Sequence, residues 1–130
     1  MARATRAGVE AMGLELFAER PAAGMTAVRF PTGIDGGTFL KRLESRFGVK
    51  LAGGQGPLKG KIFRIAHFGI LDELDIIAAL AAVELVLHEM SHAVTLGSAA
   101  AAASRIIASQ AGSTNPTIIA ATLAHTSLAR

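Results

Sequence analysis

The sequence predicts an α+β fold, a small three- to four-stranded, mainly antiparallel sheet packed with helices. Short runs of strand character, bounded by Gly or Pro, occur around residues 14–17, 26–30, 49–51 and 61–66. Apolar residues at spacings of three and four mark helices between and after them. The two kinds of segment alternate too little for the βαβ units of a doubly wound parallel sheet, so the helices are expected to gather around one sheet. At 130 residues there is room for one domain with one core.

Arg3 to Met12 has helix-compatible composition, with Gly13 as its stop, and Leu14-Glu15-Leu16-Phe17 follows as an edge strand. Thr26 to Phe30 alternates until Pro31, which cannot donate to a ladder. Asp35 caps the next helix, where Phe39, Leu40, Leu43 and Phe47 form a stripe while Lys41, Arg42, Glu44 and Arg46 face water. Val49-Lys50-Leu51 reads as a short strand, Gly53 to Gly60 as a glycine-rich loop and Lys61 to Ala66 as a second strand, together a wide hairpin. Asp72 caps a long helix whose broad apolar face carries Leu74, Ile77, Leu80, Ala81 and Leu87, and Asp75 adds favourable charge to its first turn. Gly97-Ser98 restarts an alanine-rich helix that runs to about Gln110, and Pro116 opens a final short helix.

Hydrophobic residues at 51% and charged residues at 18% suit a folded chain and exclude the profile of disorder. The net charge is only +3, and the isoelectric point of about 10.0 overstates it because no Tyr or Cys titrates between His and Lys. Lys59 and Lys61 are the nearest approach to a basic cluster, with no Trp or Tyr beside them to stack bases, so a nucleic-acid partner is not expected. The absence of cysteine removes disulfides, thiolate catalysis and cysteine zinc sites, and it is compatible with a reducing, cytoplasmic setting. The N-terminus lacks the apolar run of a signal peptide. Glu84, His88, Glu89 and Arg105 interrupt the two most apolar stretches, so no membrane span is expected either.

One string suggests metal chemistry. His88-Glu89-Met90-Ser91-His92 has the HExxH spacing that places two imidazoles on one helix face, with a glutamate as general base. Zinc needs a third protein ligand, however, and no Asp or Glu follows Glu89, while Ser98 stands where the longer form of the motif has a histidine. His67 or His125 would have to serve. The competing reading is a solvated helix end, and no metal ligand is assigned. The Gly53-Gly54-Gln55-Gly56-Pro57-Leu58-Lys59-Gly60-Lys61 loop invites a phosphate-loop reading, but a strand follows it rather than a helix.

Other strings carry a resemblance. Met12-Gly13-Leu14-Glu15-Leu16-Phe17, Val28-Arg29-Phe30-Pro31, Gly33-Ile34-Asp35-Gly36, Ala52-Gly53-Gly54-Gln55-Gly56 and Gly60-Lys61-Ile62-Phe63-Arg64-Ile65 follow one another as in the C-terminal domain of class V pyridoxal-phosphate aminotransferases. The similarity is to the alanine–glyoxylate and serine–glyoxylate type, covers about residues 3 to 110 and is most specific from Leu51 to Asp75. It implies the small domain of fold-type I pyridoxal-phosphate enzymes over residues 1–111, with 112–130 as a C-terminal extension. It also implies that Arg64, on the strand after the glycine-rich loop, binds the substrate α-carboxylate. The physics of the position agrees: Arg64 shares a strand face with Ile62 and Ala66, and a planar guanidinium on a partly apolar face suits bidentate carboxylate recognition.

The family's Schiff-base lysine, its aspartate for the pyridine nitrogen and its phosphate-binding residues belong to a large domain that these residues do not resemble. Lys41, Lys50, Lys59 and Lys61 lie in the wrong elements to replace that lysine, so no catalytic residue is carried over and no cofactor is expected on this chain alone. The resemblance implies transamination between a small amino acid (alanine, serine) and a 2-oxo acid (glyoxylate, pyruvate) in the complete enzyme, and an inactive isolated chain. An HExxH zinc hydrolase and a non-catalytic interaction module are the alternatives. The partner implied is a large domain or, for the solitary domain, a second copy covering its apolar face.

Overall fold

A computed structural model describes residues 1–21, 23–67 and 71–110. Its elements, in chain order, are α1 (Ala2–Ala11), β1 (Met25–Arg29), α2 (Gly36–Phe47), β2 (Ala52–Gly53), β3 (Ile62–Ala66), α3 (Glu73–Glu89) and α4 (Ser98–Gln110). One three-stranded sheet of order β1-β3-β2 pairs β3 antiparallel with both neighbours. The fold is α+β, as its sequence predicts. Leu14 to Phe17 adds a single antiparallel bridge, Leu16 to Val28, outside β1, with Phe17 N–H donating to the Ala27 carbonyl at 2.9 Å and Arg29 N–H to the Glu15 carbonyl at 2.9 Å. The expected edge strand is thus reduced to a bridge. The expected helix from Pro116 and the boundary near residue 111 lie outside the described residues.

Alternation sorts the sheet into two faces. Val28 on β1 and Phe63 and Ile65 on β3 are at most 1% exposed. Phe63 meets Phe39 of α2 and Phe30 with ring centroids 5.3 and 5.1 Å apart, so α2 is fastened to the sheet by an aromatic cluster. The helix is set in place by Asp35, whose Oδ2 accepts from Thr38 N–H at 2.9 Å and from Thr38 Oγ1 at 2.7 Å.

The expected strand at Val49–Leu51 is displaced to Ala52–Gly53. The cause is the end of α2: Gly48 turns left-handed at φ 66°, and Val49 N–H donates back to the Leu43 carbonyl at 3.2 Å. Val49 is therefore spent on closing the helix, and ladder pairing begins only where Ala52 meets Arg64.

α3 opens with a reciprocal cap in which Asp75 N–H donates to Asp72 Oδ1 and Asp72 N–H to Asp75 Oδ2, both at 2.9 Å. It lies between α2 on one side and α1 with α4 on the other, and buries Ile76, Leu80, Val83 and Leu87. Leu74, expected on the buried face, points outward at 73% exposure. The helix is apolar around much of its circumference, so spacing alone does not choose which side its neighbouring helices will cover. Buried on the same helix, Glu84 turns its carboxylate to the start of α4, accepting from Gly97 N–H, from Ser98 Oγ at 3.0 Å and from Ala99 N–H at 2.9 Å. α4 then runs along α1 through Ala99 and Ala103, both fully buried. Gly8 permits this approach: a Cβ there would lie 2.6 Å from a Leu80 methyl and 3.2 Å from the Ala99 carbonyl. No helix of the described residues is long and apolar enough to cross a membrane.

His67, just past β3, is 4% exposed with Nε2 3.0 Å from Thr26 Oγ1. Burial holds its pKa below the ordinary 6.5, and the positive charges of Arg6 and the Met1 amino group push the same way. The folded state therefore keeps His67 neutral. The stability this confers is complete above the unfolded pKa and is lost as pH falls through the lower folded one. The urea midpoint is expected to drop as pH falls below 6.5 toward the lower folded pKa. A His67→Gln variant should lose that pH-dependent component, and an unchanged slope in the variant assigns it to other groups.

Candidate functional site

A groove of about 540 Å³ opens between the sheet and the first turns of α3, lined by Arg64, Ile65, Lys50, Leu51, Leu71 and Asp75 among others. Between the buried Phe63 and Ile65, the latter lining the same groove, Arg64 is the half-buried residue of β3. Its Cα partners are Ala27 on β1 and Ala52 on β2. Two small neighbours leave the half-buried guanidinium open toward the groove. One contact fixes it: Arg64 Nε–H donates to the Gly53 carbonyl at 3.1 Å.

The groove's charges are unequal. Asp75 Oδ2 is held by the Asp72 backbone in the α3 cap. The ion pairs among the described residues are Arg29–Glu15 and Arg46–Glu89, so neither Arg64 nor Lys50 is neutralised by a carboxylate there. The groove thus carries two cations and the capped Asp75 carboxylate over apolar walls, and Arg64 and Lys50 leave it a net positive charge that favours an anion with an apolar body. Lys50 was legible in the sequence only as part of a strand. It lines the same groove as Arg64 from the segment between α2 and the displaced β2.

The HExxH string does not form a zinc helix. α3 ends at Glu89, Ser91 takes a left-handed φ of 64°, and His92 N–H donates back to the Leu87 carbonyl at 2.9 Å. His92 therefore lies beyond the helix and is off the face of His88 that the motif requires. Glu89 Oε1 is 2.7 Å from Arg46 Nη2, which occupies the would-be general base. Among the described residues no three His, Asp or Glu side chains gather at a metal-binding spacing, and His67 is engaged with Thr26. His125 lies outside the described residues. The zinc alternative is corrected on these grounds, and the string is a helix end. Protein purified without chelator is expected to carry far less than one zinc per chain, and stoichiometric zinc lost on His88→Ala would reverse this assignment. The glycine-rich loop contains one 3₁₀ turn, Gly56–Leu58, and leads into β3, so it presents no helix N-terminus to a phosphate.

No protein-family model matches the chain. An uncharacterised aminotransferase of Methanocaldococcus jannaschii is 48% identical over 92 residues, which is 69% of this chain and 24% of that protein. The serine–glyoxylate aminotransferase of Arabidopsis thaliana is 37% identical over 107 residues, 80% of this chain and 27% of that protein. In structure, pyridoxamine–pyruvate aminotransferase from Mesorhizobium loti superposes with a TM-score of 0.80 at 34% identity, over 84% of this chain and 29% of that one. The chain belongs to the class V aminotransferases. It is a partial, C-terminal-type region of that fold and spans about a quarter of the length of the curated relatives it matches, 24% and 27%.

Class V aminotransferases use pyridoxal phosphate, and the described residues do not fit that group. Lys41, Lys50, Lys59 and Lys61 are all exposed. A lysine that forms an aldimine needs an enclosed setting and the cofactor a partner for its ring nitrogen. What this small domain offers is an open arginine in a groove.

Proposed function

We propose that this small domain supplies substrate-carboxylate binding to a class V aminotransferase, with Arg64 as the residue that holds the α-carboxylate. The complete enzyme would move an amino group between a small amino acid such as alanine or serine and a 2-oxo acid such as glyoxylate or pyruvate. The observation that carries this reading is the guanidinium of Arg64, without an ion-pair partner among the described residues and flanked by two alanines at a groove with apolar walls. The domain extends over residues 1–111 and is followed by an extension, 112–130. A lysine-bearing large domain is its natural partner, and the exposure of Leu71 at the groove and of Leu74 just beyond it in sequence, 37% and 73%, supports a surface that another body covers. A cytoplasmic setting accords with the cysteine-free sequence.

The test joins the chain to the large domain of a class V relative whose own small domain has been removed. With pyridoxal phosphate present, the fusion is expected to transfer amino groups from alanine or serine to glyoxylate, and the chain alone to transfer none. Transamination by the isolated chain, or an inactive fusion when the relative's own small domain restores activity in the same format, would overturn the reading.

A further inference from the structure

A guanidinium has two edges that match a carboxylate: the side edge, formed by Nε–H with one Nη–H, and the end edge, formed by one N–H from each Nη. In Arg64 the side edge is already taken, because Nε–H donates to the Gly53 carbonyl at 3.1 Å across the β2–β3 pair. We propose that the Gly53 carbonyl is the positioning group of Arg64, holding the guanidinium plane by Nε and leaving the Nη1–Nη2 edge as the one that takes a carboxylate. The inference rests on the reading of Arg64 as a carboxylate binder and adds to it the group that aims the side chain and the edge that is used.

The glycines around that carbonyl show how its position is set. A Cβ on Gly54 would lie 2.2 Å from the Leu58 carbonyl oxygen and 2.9 Å from Ile62 Cγ1, so the turn at Gly56–Leu58 can pack against β2 only if residue 54 has no side chain. Gly54 N–H also donates to the Ile62 carbonyl at 3.1 Å, which ties this close approach to β3 itself. A Cβ on Gly53 would meet only the far end of Leu40, at 3.2 Å. The two neighbouring glycines thus differ in consequence. Gly54 fixes where the end of β2 lies, and Gly53 tolerates a methyl that Leu40 can yield to. With Nε held in advance, a ligand carboxylate does not have to order the long side chain on arrival, which is the benefit of preorganisation.

Nitrogen-edited NMR of the full chain tests this, with Arg64→Lys used to assign the Arg64 signals. In the unsubstituted chain the Arg64 Nε–H should exchange with water at least about tenfold more slowly than that of exposed Arg42. Gly54→Ala should return it to the rate of Arg42, whereas Gly53→Ala should keep it slow, with circular dichroism confirming that both variants fold. An Arg64 Nε–H exchanging as fast as Arg42 in the unsubstituted chain overturns the proposal even when Gly54→Ala fails to fold. A folded Gly54→Ala variant that retains slow exchange overturns it as well. Titration with acetate separates this from the underlying reading. Movement of the Nη signals with Nε–H still protected supports the end edge, and loss of Nε protection on titration assigns the side edge and sinks the proposal. No response of any Arg64 nitrogen to acetate defeats the carboxylate reading and the end-edge assignment with it, while the exchange data still decide whether Gly53 holds the side chain.

Discussion

Truncation of Arg64 to alanine, in the chain joined to a lysine-bearing large domain, is expected to lower kcat/KM for amino-acid substrates by roughly two to four orders of magnitude. Each hydrogen bond to a charged group is worth about 1.5–3 kcal/mol, so losing a bidentate pair removes about 3–6 kcal/mol, at about 1.4 kcal/mol per tenfold. Arg64→Lys keeps the charge and loses the fork, and should fall in between, at roughly ten- to a hundredfold. Amines that lack the carboxylate should react almost as before with either variant. Steady-state kinetics on paired substrates, alanine against ethylamine, gives the comparison. Equal losses on both substrates with the fold intact would mean that Arg64 organises the β2–β3 hairpin and does not meet the substrate.

Glu84→Ala is expected to destabilise the domain by about 2–4 kcal/mol, because it removes one carboxylate that caps a helix start and leaves the buried Ala99 N–H without that partner. Glu84 is 3% exposed and serves Gly97 N–H, Ser98 Oγ and Ala99 N–H together, so its loss uncaps α4 from inside the structure. Glu84→Gln retains an acceptor but loses the negative charge at the positive end of the helix, and should cost about 1 kcal/mol. Urea denaturation of the three proteins measures both steps. An alanine variant within about 0.5 kcal/mol of the parent, the ordinary range for surface changes, would show that water replaces the carboxylate at no cost.

What was legible in the sequence was local. Asp35 and Asp72 announce their helices because a cap and its partner lie three residues apart, and both caps form as expected. The period of a strand sorts Phe63 and Arg64 to opposite faces, and Arg64 is the half-buried residue between two buried ones. What was not legible depends on partners far along the chain or on backbone atoms. Glu84 looked like an interruption of an apolar helix, since nothing nearby shows that residues 97–99 return to it. The Gly53 carbonyl has no side-chain signature at all. HExxH was misleading for the complementary reason: the string specifies spacing, but Ser91 ends the helix between its two histidines. Leu74 was misplaced because an apolar helix among several neighbours has more than one side to bury.

The contact between α1 and α4 has a bearing on how the domain comes into being. Ala2–Ala11 packs along a helix that begins at Ser98, with Gly8 against Ala99, so α1 acquires its main packing partner only from a segment far along the chain. During synthesis Ala2–Ala11 lacks its main packing partner until Ser98–Gln110 has left the ribosome. Such long-separation contacts slow folding, because loop closure must precede the burial that rewards it. The sheet and α2 can assemble from nearer contacts, leaving α1 and α4 to dock last as a pair. In a nascent chain, protease sensitivity of the α1 segment should therefore persist until α4 emerges, and then disappear in one step.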